Sequence, residues 1–353
     1  FRKKLFPDLS EDTLLLLAEG KDPATRGHFY LRDLPHAGVL ADIQMAGRRP
    51  LAGLRRLDHE RLAGGQQRII EYLLPRKARE LYHELREENY TVPLGALANV
   101  GIGYVTGANE FFHLDQQAAA EWGIPNRFLR ACVRRGRALA GLRFTREDWQ
   151  AALAHGQAGY LLELPAEGGL PDSILRYLAH GQKLGVHRTF KCRTRTPWYR
   201  VPHVYHPDAF LTYMSGDVPR LVANDAGVVA PNSLHILRLH PHALVSPDGI
   251  TALWQTSLAR LSAEVEGHAL GGGMLKLEPG EAARVILPFP SNRNQLDSLA
   301  AQLDETARRQ GDTACAQAAD RQLLQKSLGL SVADCNLLRD AAEVLRSRRM
   351  TRG

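Results

Sequence analysis

The change of pattern near residue 290 constrains the fold of this chain more than any other feature. Residues 92 to about 290 mix short apolar runs and turns with a few helical stretches, and they hold most of the prolines and aromatics. From Gln295 to Arg349 the apolar residues instead recur at helical spacing. That tail breaks at SLGLSVAD, where Ser331 is placed to cap a last helix ending in RSRR. Ahead of residue 92, positions 59 to 89 read as two helices broken by Pro75. In the second, Ala78, Leu81, Tyr82 and Leu85 fall at i, i+3, i+4 and i+7, one apolar stripe on a charged rod. Thr13 to Ala18 and His28 to Leu31 are apolar runs bounded by charged, Gly or Pro residues, and they read as buried strands at the edge of a larger sheet. The expectation is an α+β protein: a strand edge over 1–45, a helical connector over 46–91, mixed short-strand sheets with helices over 92–290, and a C-terminal helical segment over 291–353.

The chain has 353 residues, 44% of them hydrophobic, enough to bury a core. It holds no apolar run long enough to cross a bilayer, and no apolar stretch of signal-peptide type follows its charged start, so a cytoplasmic location without a membrane partner is expected. It begins at Phe1 rather than Met, which fits the tail of a longer polypeptide. Cys132, Cys192, Cys315 and Cys335 are far apart with no C-x-x-C pair, which argues for reduced thiols and against a zinc ribbon or a secreted disulfide framework. His203 and His206 have no partnering Cys, Asp or Glu motif and read as loop histidines, so no metal is expected.

The net charge of +7 is moderate, but its distribution is not. Arg127 to Arg146 holds seven arginines and no acid, and Arg176 to Arg200 holds seven more Lys and Arg, again without an acid. With those fourteen set aside, 31 basic residues face 38 acidic ones, so the rest of the chain is net negative. Concentrated arginine with interleaved aromatics is the footprint of a polyanion partner. The competing reading is a solvated charged surface in a chain that prefers Arg to Lys throughout.

Four motifs invite chemistry. Val100 to Leu114 reads as two strands joined by a tight turn in which Gly107 and Asn109 take positive backbone angles; Thr106, Gly107 and Asn109 at such a tip can approach a phosphate or base edge, although turns use these residues anyway. GGGMLKLEP lacks the spacing of a phosphate loop and reads as a turn leading into a strand, and GIGYVTG lacks that of a dinucleotide fingerprint. Asp8, Glu19 and Lys21 fit the loose arrangement of a magnesium-dependent nuclease, in which two carboxylates hold the metal and the lysine orients water. Charged residues at the ends of a short apolar strand are the competing account.

Several stretches together resemble the C-terminal half of adenine-specific DNA methyltransferases of bacterial restriction–modification systems, the gamma class. They are KLFPDLSEDTLLLLAEGK, GIGYVTGANEFFHL, RTPWYRVP with PDAFLTYMSGDVPRLVAND after it, and LSAEVEGHALGGGMLKLEP, in that family's order from the start to about residue 290. The resemblance implies that residues 1–45 are the residual edge of a methyltransferase domain and 92–290 a target recognition domain that reads double-stranded DNA. It implies a partner, the methyltransferase domain that binds S-adenosylmethionine and flips adenine. This chain has no Asn-Pro-Pro motif and no glycine loop of the required kind, so by itself it is expected to lack cofactor and catalytic residues and to be inactive. On this reading Arg188, Lys191, Arg193 and Arg195, with Arg200 beside them, serve phosphates, one or two of them being bidentate to guanine; Trp198 and Tyr199 contact sugar or pack, with core packing the alternative for Trp198. Arg130, Arg134, Arg135 and Arg137 form a second phosphate track, unless they face solvent from a helix. Besides the nuclease, a non-catalytic RNA-binding or structural partner protein stays open.

Overall fold

The computed structural model describes residues 15–16, 29–42 and 54–350. At its centre lies an antiparallel sheet in the order Leu221–Ala223, Ala209–Thr212, Leu234–Leu239, Ala98–Ile102. The two-residue period of a strand sorts its side chains onto two covered faces, which is why AFLT and LVA are apolar with little alternation. Ala209, Leu211, Leu221 and Leu237 pack with Ile250, Leu253 and Trp254 of the helix Pro247–Trp254. Phe210, Val222, Leu234 and Ile236 meet Val133, Phe144 and Ala158 on the other side. Each such leucine or phenylalanine contributes roughly 1.5–3 kcal/mol by leaving water. A second antiparallel sheet, His113–Leu114, Ala158–Leu162 and Leu129–Val133, is joined to the first region through bridges at Cys132–Val229 and Tyr104–Pro231.

The α+β expectation holds, and the tail is helical as its spacing predicts: Leu296–Gln310, Asp312–Ala319, a wider helical stretch Asp320–Ser327, and Val332–Met350. Ser331 caps the last of these, its hydroxyl accepting from Asp334 N at 3.1 Å and donating to the Asp334 carboxylate at 2.7 Å. The stripe on Arg76–Glu87 buries Ala78, Tyr82 and Leu85, with Leu81 packed at its margin, against Leu258 and Leu261 of the helix Ser257–Glu266 and Leu338 and Leu345 of the last helix. Leu296 and Leu323 enter the core of the first sheet.

The helix Ser257–Glu266 is buried almost throughout, so its carboxylates need partners. Glu266 receives Arg68 at 2.9 Å and Arg284 at 2.7 Å, and Glu264 receives Arg349 at 2.8 Å. Asp320, fully buried, accepts from Ser257 N at 2.7 Å and from Arg339 at 2.8 Å.

Two expectations are corrected. Val100 to Leu114 is not a hairpin, because Ala98–Ile102 pairs with Leu234–Leu239 while His113–Leu114 pairs with Ala158–Leu162 in the other sheet. Phe111 and Phe112 are both buried; a strand would send them to opposite faces, whereas the helical turn Asn109–Phe112 seats both in one core. Gly107 has the expected positive φ of 83°, and Asn109 instead begins that turn. The strand Phe29–Leu31 does form, pairing with Arg55–Leu57, but Phe29 and Tyr30 are exposed rather than buried, and the buried side chain of the ribbon is Leu57. Of Thr13 to Ala18 only Leu15 and Leu16 are described; both are exposed and neither is in a strand. GGGMLKLEP is the turn Gly271–Gly273 followed by the strand Leu275–Lys276, as expected.

Candidate nucleic-acid interface

The helix Asp172–Lys183 ends at Leu184, and Gly185 reverses the chain at a φ of 75°, the left-handed conformation that commonly closes a helix. A tight turn Val186–Arg188 and a short helix Phe190–Arg193 follow. Val186 and Cys192 are the buried anchors; Arg188, Phe190, Lys191 and Arg193 between and beside them are exposed. Among the described residues none of Arg188, Lys191, Arg193 and Arg200 has a carboxylate partner. Phe190 is 64% exposed, with the Lys191 ammonium and the Arg193 guanidinium each 5.5 Å from its ring centroid. Its signal in the sequence was an aromatic set between Arg188 and Lys191, with Arg193 and Thr194 rather than apolar residues three and four positions after it.

Arg195 behaves differently from its neighbours. It donates to the carbonyls of Thr106 at 2.7 Å and Val105 at 2.6 Å, and burial draws its pKa below the usual arginine value. It therefore clasps the 105–109 loop onto the 190–195 segment. Gly107 completes the joint, since a Cβ there would stand 2.6 Å from Lys191 Cβ. The Thr106 hydroxyl is buried, accepting from Ala108 N at 3.2 Å and donating to the Asn109 side chain at 2.5 Å, while Gly107 and Asn109 stay exposed. Trp198 is half-buried against Phe111 and Phe112, and Tyr199 is half-buried edge-on to Trp198.

The second track is a strand followed by a tight turn at Gly136–Ala138, not a helix. Arg130 is paired with Glu163 at 2.8 Å. Arg134 is half-buried beside His113; burial first, and then the charge of Arg134, push the His113 pKa down to about 4, so this ring is neutral at pH 7 where it meets the Tyr104 hydroxyl at 3.0 Å. Arg135 and Arg137 are exposed. Arg137 lines a cleft of about 750 Å³ with Tyr213 and Arg220, whereas Arg130 shares another, of about 520 Å³, with Arg127 and Arg200. The two cationic stretches thus meet at Arg130 and Arg200 and part at Arg137.

Asp8, Glu19 and Lys21 lie outside the described residues. All four cysteines are buried and unpaired. The Gly271–Gly273 turn packs against the chain's own last helix: Arg349 donates to the Gly273 carbonyl, and a Cβ on Gly273 would meet Met350 Sδ at 2.9 Å. Among the described residues no helix is long and apolar enough to cross a membrane.

An α+β body with an unneutralised cationic loop surface is the class these observations define. Residues 66–324 match the family described as Type II methyltransferase M.Eco57I, C-terminal domain, and the chain belongs to that family. It is 23% identical over 192 residues to the Type II methyltransferase M.AccI of Acinetobacter calcoaceticus, covering 54% of this chain and 35% of that protein. The type IIG restriction endonuclease BpuSI superposes with a TM-score of 0.49 at 14% identity, over 89% of this chain and 38% of its own. The chain spans about a third of the length of the curated relative it matches.

Proposed function

We propose that this chain is the part of an S-adenosylmethionine-dependent adenine DNA methyltransferase that recognises double-stranded DNA, working in the cytoplasm as one component of a restriction–modification system. The observation that carries the reading is the group Arg188, Lys191, Arg193 and Arg200, none with a carboxylate partner among the described residues, in and beside the 190–195 segment that Arg195 and Gly107 lock to the 105–109 loop. Such a group neutralises phosphates and releases counterions, while exposed Phe190 and Asn109 stand where sugar or base can be touched. Cofactor binding and methyl transfer belong to the methyltransferase domain, and the target adenine leaves the stack there at a cost of a few kcal/mol.

A competition assay separates this from the other readings. Labelled duplex DNA bound to the chain is expected to be displaced by unlabelled duplex at a concentration about tenfold or more below that of single-stranded RNA, because the cations track a double-helical backbone. Equal or better displacement by the RNA contradicts the proposal. With magnesium present the duplex is expected to stay intact; cleavage abolished by Asp8→Ala or Glu19→Ala would establish the nuclease instead.

A further inference from the structure

We propose that the cleft shared by Arg127, Arg130 and Arg200 reads one nucleotide of the bound strand, with His203 at the base edge. This rests on the duplex-binding reading above and adds a site to it. The cleft measures about 520 Å³ and its floor includes the buried side chains of Phe128 and Val201. Glu163 is its one acidic lining residue and is paired with Arg130, so Arg127 and Arg200 keep their charge for a ligand. Arg127 is braced over the Phe128 ring at 4.7 Å.

His203 is the one non-glycine residue with positive φ among the described residues, at 58°. A left-handed backbone is costly for any residue with a Cβ, and glycine would adopt it freely. The position lies in the loop between Pro202, with buried Val201 before it, and buried Pro207 four residues on. What the histidine adds over glycine is an imidazole whose Nδ1 stands 3.2 Å from the Tyr205 hydroxyl, leaving Nε2 without a hydrogen bond to any described residue. Tyr205 is held in turn by Arg238 of the strand Leu234–Leu239, whose guanidinium lies 4.5 Å from its ring centroid. Two unneutralised guanidinium groups, an oriented imidazole with a free ring nitrogen and an exposed aromatic ring form the set of groups that takes a phosphodiester with its base: forks for the phosphate, one ring nitrogen for a base-edge donor or acceptor.

The test uses the full chain and a pool of duplex DNA randomised over ten central base pairs, sequenced after selection by wild type, His203→Gly and Tyr205→Phe. The glycine variant is expected to keep or raise the thermal midpoint and to hold total affinity within about twofold. At one base-pair position it is expected to lose about tenfold or more of the discrimination. Tyr205→Phe, which removes the hydroxyl that orients the ring, is expected to lose part of the discrimination at that same position. A glycine variant that keeps the wild-type preference everywhere overturns the proposal, as does one that loses all preference together with its thermal midpoint, the mark of a merely structural residue. A wild type that binds duplex without any preference sinks this cleft while leaving duplex binding intact. A wild type that binds no duplex sinks the functional reading itself.

Discussion

Arg349→Leu is expected to destabilise the chain by about 3–5 kcal/mol at pH 8, the cost of stranding one member of a buried ion pair. Arg349 is 2% exposed and donates to both oxygens of Glu264, at 2.8 and 3.0 Å, as well as to the carbonyls of Gly216, Gly273 and Asp217. It thereby fastens the last helix to the helix Ser257–Glu266 and to the glycine turn. Burial already holds the Glu264 carboxyl above its usual pKa, against the opposing pull of Arg349, and removing the guanidinium raises it further. A carboxyl with a raised folded-state pKa binds its proton more tightly folded than unfolded. Stability from this group therefore falls as pH rises from its unfolded value through its folded one, and the deficit of the variant is expected to narrow on going from pH 8 to pH 5. Urea denaturation at the two pH values measures this, and adding Glu264→Leu is expected to recover much of the loss. A deficit under about 1 kcal/mol, or one independent of pH, contradicts the account.

Gly107→Ala is expected to cost about 2–5 kcal/mol, combining a left-handed backbone with a forced contact. The added Cβ would meet Lys191 Cβ at 2.6 Å, an atom fixed to the backbone that a rotamer change does not move. The Arg195 clasp to Val105 and Thr106 is expected to open with it, so amide exchange in 105–109 and 189–195 should rise together, while Trp254, whose indole donates to the Pro219 carbonyl at 2.8 Å inside the other core, stays protected. Faster exchange confined to 105–109 would mean that the two segments are not one unit.

What the sequence disclosed follows from how local its causes are. The stripe at Ala78, Tyr82 and Leu85, the cap at Ser331 and the glycine turn before Leu275 rest on neighbours within a few positions, and all three formed. The hairpin failed because Phe111 and Phe112 are placed by a core completed by Tyr177 and Trp198, more than sixty residues later. Acid-free charge bands were visible in the chain, but charge runs do not say which cation is spoken for. Arg195 is spent on backbone carbonyls, Arg130 on Glu163, and Arg137 belongs to another cleft, whereas Arg188, Lys191, Arg193 and Arg200 carry no carboxylate partner among the described residues. His203 is a loop residue, as its sequence context predicts, but its left-handed backbone leaves no mark in composition or period.

The salt dependence of duplex binding tests the central claim most directly. For the wild-type chain the logarithm of the association constant is expected to fall linearly with the logarithm of salt concentration. For Arg188→Ala/Lys191→Ala/Arg193→Ala the slope is expected to be shallower by about 2.7, which at 0.1 M salt corresponds to roughly 500-fold weaker binding when the 1 M intercept is unchanged. A wild type whose binding ignores salt, or a triple variant with the wild-type slope, would contradict the assignment of these three cations to phosphates.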